Sequence, residues 1–267
     1  MENIAKHNQT SKSNEALFNT LYFRIYDAVT WKYLLPYVPK ERDAFVLDAG
    51  GGNPRWAIRL AEKGCKVILM DSSEEMLNAA AEKIRAEGYL QKITLKKGSV
   101  AKLGYPDGTF DMILFDHALF LLKKPDVAIR ELRRVLKKSA PLIISAQNRY
   151  VQALSSLAGK PRTDNVERAF KVLINKKHEC MTKDGEIQIY TWTPQEFRQI
   201  LERNGLRVKK IIGKMVTMPL RVRQEFFIEK NHSEELFNKI LKFELTFCEK
   251  QDALALAGHL QAIAFKP

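Results

Sequence analysis

The sequence lacks the markers of several common protein classes. Its three cysteines show neither C-x-x-C nor zinc-type spacing, so a zinc site is not predicted. No apolar run approaches the roughly 18 residues of a membrane span. The polar stretch 1–15 has no apolar core of a secretory signal, and there is no internal repeat or low-complexity linker. These absences predict a cytoplasmic protein with one globular domain and no metal.

A glycine-rich loop is present, but two familiar versions of it fail. Residues 45–56 read FVLDAGGGNPRW, which predicts a short buried strand, a loop over Asp48–Gly52 and a helix from Pro54. No G-K-S/T follows the glycines, so a Walker phosphate loop is excluded. The dinucleotide pattern G-x-G-x-x-G has Arg55 where its third glycine would stand.

Two aspartates indicate what kind of ligand the loop would take. Asp48 precedes the glycines and Asp71 ends the next strand-like run, 66–70. A carboxylate beside a helix N-terminus repels phosphate but suits an ammonium group. S-adenosylmethionine carries an α-ammonium, a sulfonium and a ribose diol, so its chemistry fits a crevice that contains acids.

Four motifs in order resemble the class I S-adenosylmethionine-dependent methyltransferases. They are VLDAGGGNPRWAIRLAEKG, VILMDSSEEML, YPDGTFD followed by MILF, and ELRRVLKKSAPLIIS. The resemblance covers roughly residues 40–212, with a weaker echo in HLQAIAFKP, and is closest to the small-molecule, ubiquinone/menaquinone-type branch. Two positions depart from the family pattern: Pro54 replaces a frequent glycine, and Ser99 replaces an acid that often contacts adenine.

The resemblance and the strand–helix alternation imply an α/β fold. We expect a Rossmann-like, seven-stranded, mostly parallel sheet with helices on both faces, an N-terminal helical lid and two inserted cap segments. The expected parts are the lid (1–43), the cofactor-binding core (44–148), a cap insertion (149–190), a sixth-strand unit (191–213), a second insertion (214–258) and the last strand (259–267).

The resemblance also implies which residues meet the cofactor. Gly50 and Gly52 would cradle its methionine and ribose parts, Asp48 the ammonium, and Asp71 the ribose diol, although Asp71 could instead cap the next helix. The residues predicted to bind S-adenosylmethionine are Asp48, Gly50, Gly52, Asp71, Ser72, Ser99, Val100 and Tyr26. Tyr26 lies on the amphipathic N-terminal segment, where it would face either the core or the ligand.

Methyl transfer from a sulfonium mainly needs alignment, with a general base where the acceptor carries a proton. Asp116 and His117 follow the predicted fourth strand, near the expected methyl position, and are the predicted catalytic residues. Asp116 would contact the methionine part of the cofactor or the acceptor. His117 titrates near neutral pH and could take a proton; alternatively it caps the strand end and faces solvent. Additional acceptor contacts are predicted for Asn148, Arg149, Tyr150, His178 and Tyr190.

The acceptor itself is left open by the sequence. The formal net charge is +13, and residues 123–162 are rich in Lys and Arg, which suits RNA, anionic lipid, an acidic substrate or simply a soluble surface. The N-P-P-Y/F motif of many base N-methyltransferases is missing, since FDHA stands there. We therefore expect a small-molecule methyltransferase; the alternatives are an RNA methyltransferase and a non-catalytic cofactor-binding regulatory protein. The oligomeric state is not predicted.

Overall fold

The computed structural model describes residues 19–157, 162–182, 185–217 and 232–267. A seven-stranded sheet forms its centre, in the spatial order β3-β2-β1-β4-β5-β9-β8. Its strands are β1 (Phe45–Ala49), β2 (Lys66–Asp71), β3 (Ile93–Lys97), β4 (Met112–Phe115), β5 (Pro141–Gln147), β8 (Arg207–Lys214) and β9 (His259–Phe265). Strands β1 to β5 run parallel, and β9 is antiparallel to both neighbours. The predicted fold class is confirmed.

Helices cover both faces of the sheet. Those in the described residues are α1 (Leu21–Leu34), α2 (Arg55–Glu62), α3 (Glu74–Ala86), α4 (Pro125–Val135), α5 (Arg149–Ser155), α6 (Thr163–Asn175), α7 (Pro194–Arg203) and α8 (Glu234–Leu245). Successive residues of β1 pack against the helices on opposite faces of the sheet: Leu47 packs with α4 and α7, whereas Val46 packs with α2 and α3. Because β1, β2 and β4 run parallel, their carboxyl ends lie at one edge of the sheet, where open α/β sheets bind ligands.

Helix α1 is held against the far end of the sheet. Its apolar residues, Tyr22, Phe23 and Tyr26 among them, pack with Ile212 of β8 and with apolar side chains of α8. The predicted amphipathic N-terminal helix is confirmed over Leu21–Leu34. The expected lid segment begins earlier, in residues 1–18, which lie outside the described part of the chain.

Two local predictions need correction, and a third is confirmed. Strand β1 extends through Ala49, so Asp48 is a strand residue and not part of the loop. The start of α3 is capped by Ser73, whose side chain accepts from the Met76 N–H; a capping box from Ser72 to Glu75 is not present. A capping box was also predicted at Thr193, and there it does form with Glu196.

The segment 149–190 contains more regular structure than its weak periodicity predicts. Between α6 and α7 lies an antiparallel hairpin, β6 (Lys177–Thr182) and β7 (Gly185–Tyr190), which forms a separate two-stranded sheet. The apolar residues of the hairpin alternate only over Ile187 and Ile189, a signal too short to separate a strand from a loop. In the described residues, no helix is long and apolar enough to cross a membrane.

Candidate functional site

The glycine loop is tied to the end of β2 by its own backbone. The Gly51 N–H donates to the Met70 carbonyl at 3.1 Å, and the Gly52 N–H donates to the Asp71 carboxylate at 3.0 Å. Gly50 and Gly52 both have positive φ, at 65° and 41°, a region that side chains disfavour. The loops after β1 and β2 therefore form one continuous wall, as the predicted cofactor crevice requires.

Asp48 lies beneath this wall as a buried and incompletely paired acid. Asp48 is 1% exposed, and its Oδ2 has no hydrogen-bond partner in the described part of the chain. Burial raises the pKa of the Asp48 carboxyl to about 7, and the nearby Arg55 charge only partly opposes this. A Cβ on Gly51 would lie 2.8 Å from the carboxyl carbon, so only glycine fits above it.

Asp71 joins the glycine loop to α3. One carboxylate oxygen accepts from Gly52 and the other from the Ser73 N–H at 2.9 Å. Burial raises the pKa of Asp71, while these backbone donors act in the opposite direction. Asp71 thus also fills the alternative role, that of a hydrogen-bond acceptor for the backbone at the start of α3. A carboxylate offers about four lone-pair sites, so capacity remains for a ribose diol.

Ser72, Ser99 and Val100 continue the same edge of the sheet. Ser72 directly follows Asp71 and is half-buried, as is Ser99. The Ser99 hydroxyl accepts from the Ala101 N–H at 3.3 Å, and Val100 is buried in the core cluster that includes Met70. The structure places these three predicted cofactor residues beside one another; their contact with the adenine end stays a prediction.

The arrangement fits the chemistry of S-adenosylmethionine. An unpaired buried carboxylate oxygen suits an ammonium, a half-buried carboxylate suits two hydroxyls, and glycine backbone leaves room for close approach. A carboxylate-lined wall would repel the pyrophosphate of a dinucleotide. In the described residues, no cluster of three metal-ligating side chains occurs.

The loop after β4 forms the opposite wall. A Cβ on Gly50 would lie 3.0 Å from the Ala118 Cβ and 3.5 Å from the Phe115 ring. His117 has φ of 57°, the left-handed region that is uncommon for non-glycine residues and concentrates at functional sites. Its N–H donates to the Ser145 hydroxyl at 2.8 Å. The half-buried imidazole lies 4.9 Å from Phe120 and 5.3 Å from His259, centroid to centroid.

Asp116 lies in a different environment from the one expected for a catalytic acid–base residue. Its Oδ1 accepts from the Tyr26 hydroxyl at 2.8 Å and from Lys214 at 3.1 Å. Its Oδ2 accepts from the Trp56 indole at 3.2 Å and lies 3.6 Å from Arg55. Burial alone would raise the pKa of Asp116, but the charges of Lys214, Arg55 and His117 together hold it well below its usual range. A carboxylate so fully committed to internal donors cannot act as a general base.

Tyr26 belongs to this buried group. Its side chain is fully buried and its hydroxyl donates to Asp116. Its ring lies perpendicular to that of His117, with 5.8 Å between centroids. The structure therefore gives Tyr26 the core role that the sequence left open. Its contact with the cofactor stays a prediction that requires the ring to be uncovered.

Three members of the group were not predicted from the sequence: Arg55, Trp56 and Lys214. Arg55 also pairs with Asp27 of α1 at 3.1 Å, and Lys214, at the end of β8, is fully buried. Arg55 was visible only as the residue that breaks the third glycine position. Lys214 follows the apolar strand residues Ile211 and Ile212. No local pattern marks a lysine at a strand end as buried.

The predicted acceptor contacts separate into buried and exposed residues. Asn148 is buried and donates to the Leu254 carbonyl at 2.7 Å, and Arg149 pairs with Glu196 beneath the surface. Tyr150 is 42% exposed at the carboxyl end of β5. His178 and Tyr190 lie on the β6–β7 hairpin. Of the three predicted contacts that directly follow β5, Asn148 and Arg149 are buried and Tyr150 is exposed.

Several basic side chains of residues 123–162 form ion pairs within the protein. Arg134 pairs with Asp107 and Glu131, Lys137 with Asp111, and Arg162 with Asp164. In contrast, Lys123 and Lys124 are exposed and form no ion pair within the described ranges. Charge available to a partner is therefore concentrated at a few positions.

Comparisons with known proteins support the cofactor assignment. Residues 46–139 match a family described as a methyltransferase domain. An S-adenosylmethionine-dependent methyltransferase from Mesorhizobium loti has a similar structure, with a TM-score of 0.59 at 18% identity over 91% of this chain and 100% of that chain. At that identity the likeness shows the fold alone.

Two curated relatives differ in how much of the chain they match. The tRNA 5-carboxymethoxyuridine methyltransferase of Escherichia coli K12 is 24% identical over 264 residues, which is 96% of this chain and 94% of the relative. The ubiquinone/menaquinone biosynthesis C-methyltransferase UbiE of E. coli O1:K1 is 33% identical over 108 residues, 39% of this chain and 43% of the relative.

Proposed function

This chain belongs to the class I S-adenosylmethionine-dependent methyltransferases, and from that premise we propose that it methylates an RNA nucleoside, with tRNA as the acceptor class. The sequence favoured a small-molecule acceptor. We now place an RNA acceptor before a small molecule, because the choice of methyl acceptor depends on the segments outside the cofactor-binding core.

The extent of the two curated matches carries the proposal. The UbiE match is about as long as the methyltransferase domain itself, 108 residues against the 94 of residues 46–139. A match of that length supports a shared cofactor site. The match to the tRNA methyltransferase continues through α5 to α8 and the β6–β7 hairpin, because it spans 96% of the chain. These are the elements available to hold an acceptor.

Charge at the ligand edge of the sheet supports RNA. Lys102, Lys123 and Lys124 are exposed and lie in the segments after β3 and β4, and none forms an ion pair within the described part of the chain. Exposed lysines neutralise phosphate and release counterions, which favours binding of a polyanion. The formal net charge of +13 adds long-range attraction of the same sign.

Planar side chains at the same edge support a nucleobase. Tyr150 follows β5 and His117 follows β4, and these strands are parallel neighbours. Unpaired RNA bases stack on aromatic and imidazole rings. The exposed Tyr150 ring would receive a base, and the His117 imidazole would accept a proton from the nucleophile where the acceptor carries one.

The cofactor side of the proposal uses the two aspartates. When bound, S-adenosylmethionine supplies an activated methyl group on a sulfonium. The free Oδ2 of Asp48 would accept from the ammonium, directly or through water, and Asp71 would accept from the ribose hydroxyls. Asp116 would act indirectly, by holding in place the loop after β4 that carries His117.

A small-molecule acceptor is the second candidate. It is favoured by the higher identity to UbiE within the matched region. The missing N-P-P-Y/F motif agrees with this candidate, and equally with an RNA acceptor other than a base nitrogen.

Transfer of labelled methyl groups distinguishes the two candidates. The purified protein is incubated with methyl-labelled S-adenosylmethionine and either a tRNA fraction or an RNA-free metabolite extract, each with and without ribonuclease. Label in tRNA that ribonuclease releases as nucleotides supports the proposal. Ribonuclease-resistant label from the metabolite extract alone would establish the small-molecule acceptor instead.

A further inference from the structure

Lys214 is a fully buried charge without a role in the site described so far. Its ammonium donates to the Thr30 hydroxyl at 2.9 Å and to Asp116 at 3.1 Å. It also lies 3.8 Å from the centroid of the Tyr26 ring. Removing an ammonium from water is costly, and replacing a buried ion pair by apolar side chains is often neutral or stabilising. Stability alone is therefore a weak reason for a lysine at this position.

The partners of Lys214 come from separate elements that meet at Asp116. Tyr26 and Thr30 belong to α1 and Trp56 to α2, and Asp116 directly follows β4. Each contributes a hydrogen bond to the carboxylate or to the ammonium. The ion pair thus ties β8 to α1 and to the loop after β4.

That loop is one wall of the cofactor crevice. Phe115 and Ala118, which flank Asp116 and His117, lie 3.5 Å and 3.0 Å from a Cβ built on Gly50. The neighbouring His117 holds a left-handed backbone conformation, which persists only where surrounding contacts enforce it. The Ser145 hydroxyl holds the His117 N–H directly, and the Asp116 side chain links the same backbone to buried donors of α1, α2 and β8.

We propose that Lys214 is a positioning residue for methyl transfer: it fixes Asp116, and through Asp116 the loop that lines the cofactor crevice and carries His117. The proposal rests on the cofactor assignment and not on the nature of the acceptor. Its test therefore uses S-adenosylmethionine alone.

Several charged groups face Asp116 and set its response to pH. They are Tyr26 and Asp27 on α1, Asp48 on β1, Arg55 on α2, His117 beside it and Lys214 on β8. With Lys214 removed, the charges that still lower the pKa of Asp116 are those of His117 and of Arg55, which is shared with Asp27. Loss of Lys214 will therefore raise the pKa of Asp116 towards its ordinary range.

The test compares Lys214→Met with Lys214→Arg, which keeps the charge, and with Lys210→Met, which removes an exposed lysine of the same strand paired with Glu249. Affinity for S-adenosylmethionine is measured by calorimetry from about pH 3.5 to 8, a range that includes the ordinary aspartate pKa of about 3.9, and backbone amide exchange is followed at residues 115–118. Lys214→Met should bind about tenfold more weakly at pH 7. Its pH profile should gain a titration step that the wild type lacks, and the loop amides should exchange about tenfold faster.

Lys214→Arg should stay within about threefold of the wild type, and Lys210→Met should match it. A Lys214→Met protein that melts earlier but keeps wild-type affinity, pH profile and loop exchange would show a merely structural lysine. Should Lys214→Met not fold, Asp116→Asn decides, because it removes the same pairing while keeping the side-chain shape. Unchanged affinity and loop exchange in Asp116→Asn would overturn the proposal.

Discussion

A Cβ added to Gly51 would lie 2.8 Å from the carboxyl carbon of Asp48 and 3.0 Å from Leu69. The loop and the acid below it are thus matched in shape, because any side chain at Gly51 would displace a buried carboxylate or the β2 core. The short distance from Gly51 to Asp48 and Leu69 explains why glycine is needed at position 51, where the φ angle alone would allow another residue.

Gly51→Ala should therefore damage the crevice. We expect a loss of about 1–3 kcal/mol in the free energy of unfolding from overpacking, and at least about tenfold weaker binding of S-adenosylmethionine. Chemical denaturation and calorimetry measure the two effects. Gly104→Ala is the control, since Gly104 has a positive φ but no atom within 4 Å of its Cβ position; it should cost about 1 kcal/mol and leave cofactor affinity unchanged. Equal cofactor affinities for both variants would contradict the assigned packing.

Asp48 should make stability and cofactor binding pH-dependent. Its pKa is about 7 in the folded protein, against about 3.9 for an unfolded chain. Between these values the folded state binds more protons, so the Asp48 contribution to the free energy of unfolding falls as pH rises. Asp48→Asn should lose this slope and gain stability relative to the wild type from pH 5 to pH 8, as measured by urea unfolding.

Cofactor binding should reverse the protonation of Asp48. An ammonium beside Oδ2 favours the carboxylate, so the wild type should release up to about one proton when it binds S-adenosylmethionine at pH 6. Calorimetry in two buffers of different ionisation enthalpy measures this release. Asp48→Asn should release none. Equal proton release from both proteins would place the ammonium elsewhere.

His117 is best tested with asparagine, because asparagine tolerates the left-handed conformation that His117 adopts. If the imidazole takes a proton from the acceptor, His117→Asn should lower kcat by about a hundredfold and remove the acidic limb of the pH–rate profile. Affinity for S-adenosylmethionine should change by less than about twofold. A variant with wild-type kcat and an unchanged profile would leave His117 as a wall residue only.

Tyr150 provides the test of base stacking. Tyr150→Ala should weaken tRNA binding by about tenfold, since stacking on an aromatic ring contributes roughly 1–3 kcal/mol per base. Tyr150→Phe keeps the ring and should bind as the wild type does. Filter binding of labelled tRNA at fixed salt compares the three proteins. Similar losses in the alanine and phenylalanine variants would point to the hydroxyl and away from stacking.

The sequence was most informative where chemistry and local pattern coincide. Strands β1, β2 and β4 are continuous apolar runs, and Asp71 follows one of them before a helix start, so their positions could be predicted to within about two residues. Thr193 and Glu196 stand at capping-box spacing, and the structure confirms the box. These features depend on neighbours in the chain.

The buried charges could not be predicted in this way. Asp116 looked catalytic because it ends a strand at the ligand edge, yet its partners Tyr26 and Lys214 lie 90 and 98 positions away in the chain. Only the three-dimensional arrangement shows that its carboxylate is already satisfied. The β6–β7 hairpin was missed for a related reason, since its strands pair with each other outside the main sheet and have a short apolar pattern.

The assignment of the crevice to S-adenosylmethionine is tested most directly by calorimetric titration of the wild type and Asp71→Ala. Asp71 accepts from Gly52 and Ser73, so a thermal melt and the Asp71→Asn variant, which keeps one acceptor, control for a disturbed loop. We predict saturable binding by the wild type, at least about tenfold weaker binding by Asp71→Ala and an intermediate affinity for Asp71→Asn. Wild-type affinity in a folded Asp71→Ala protein would contradict the assignment.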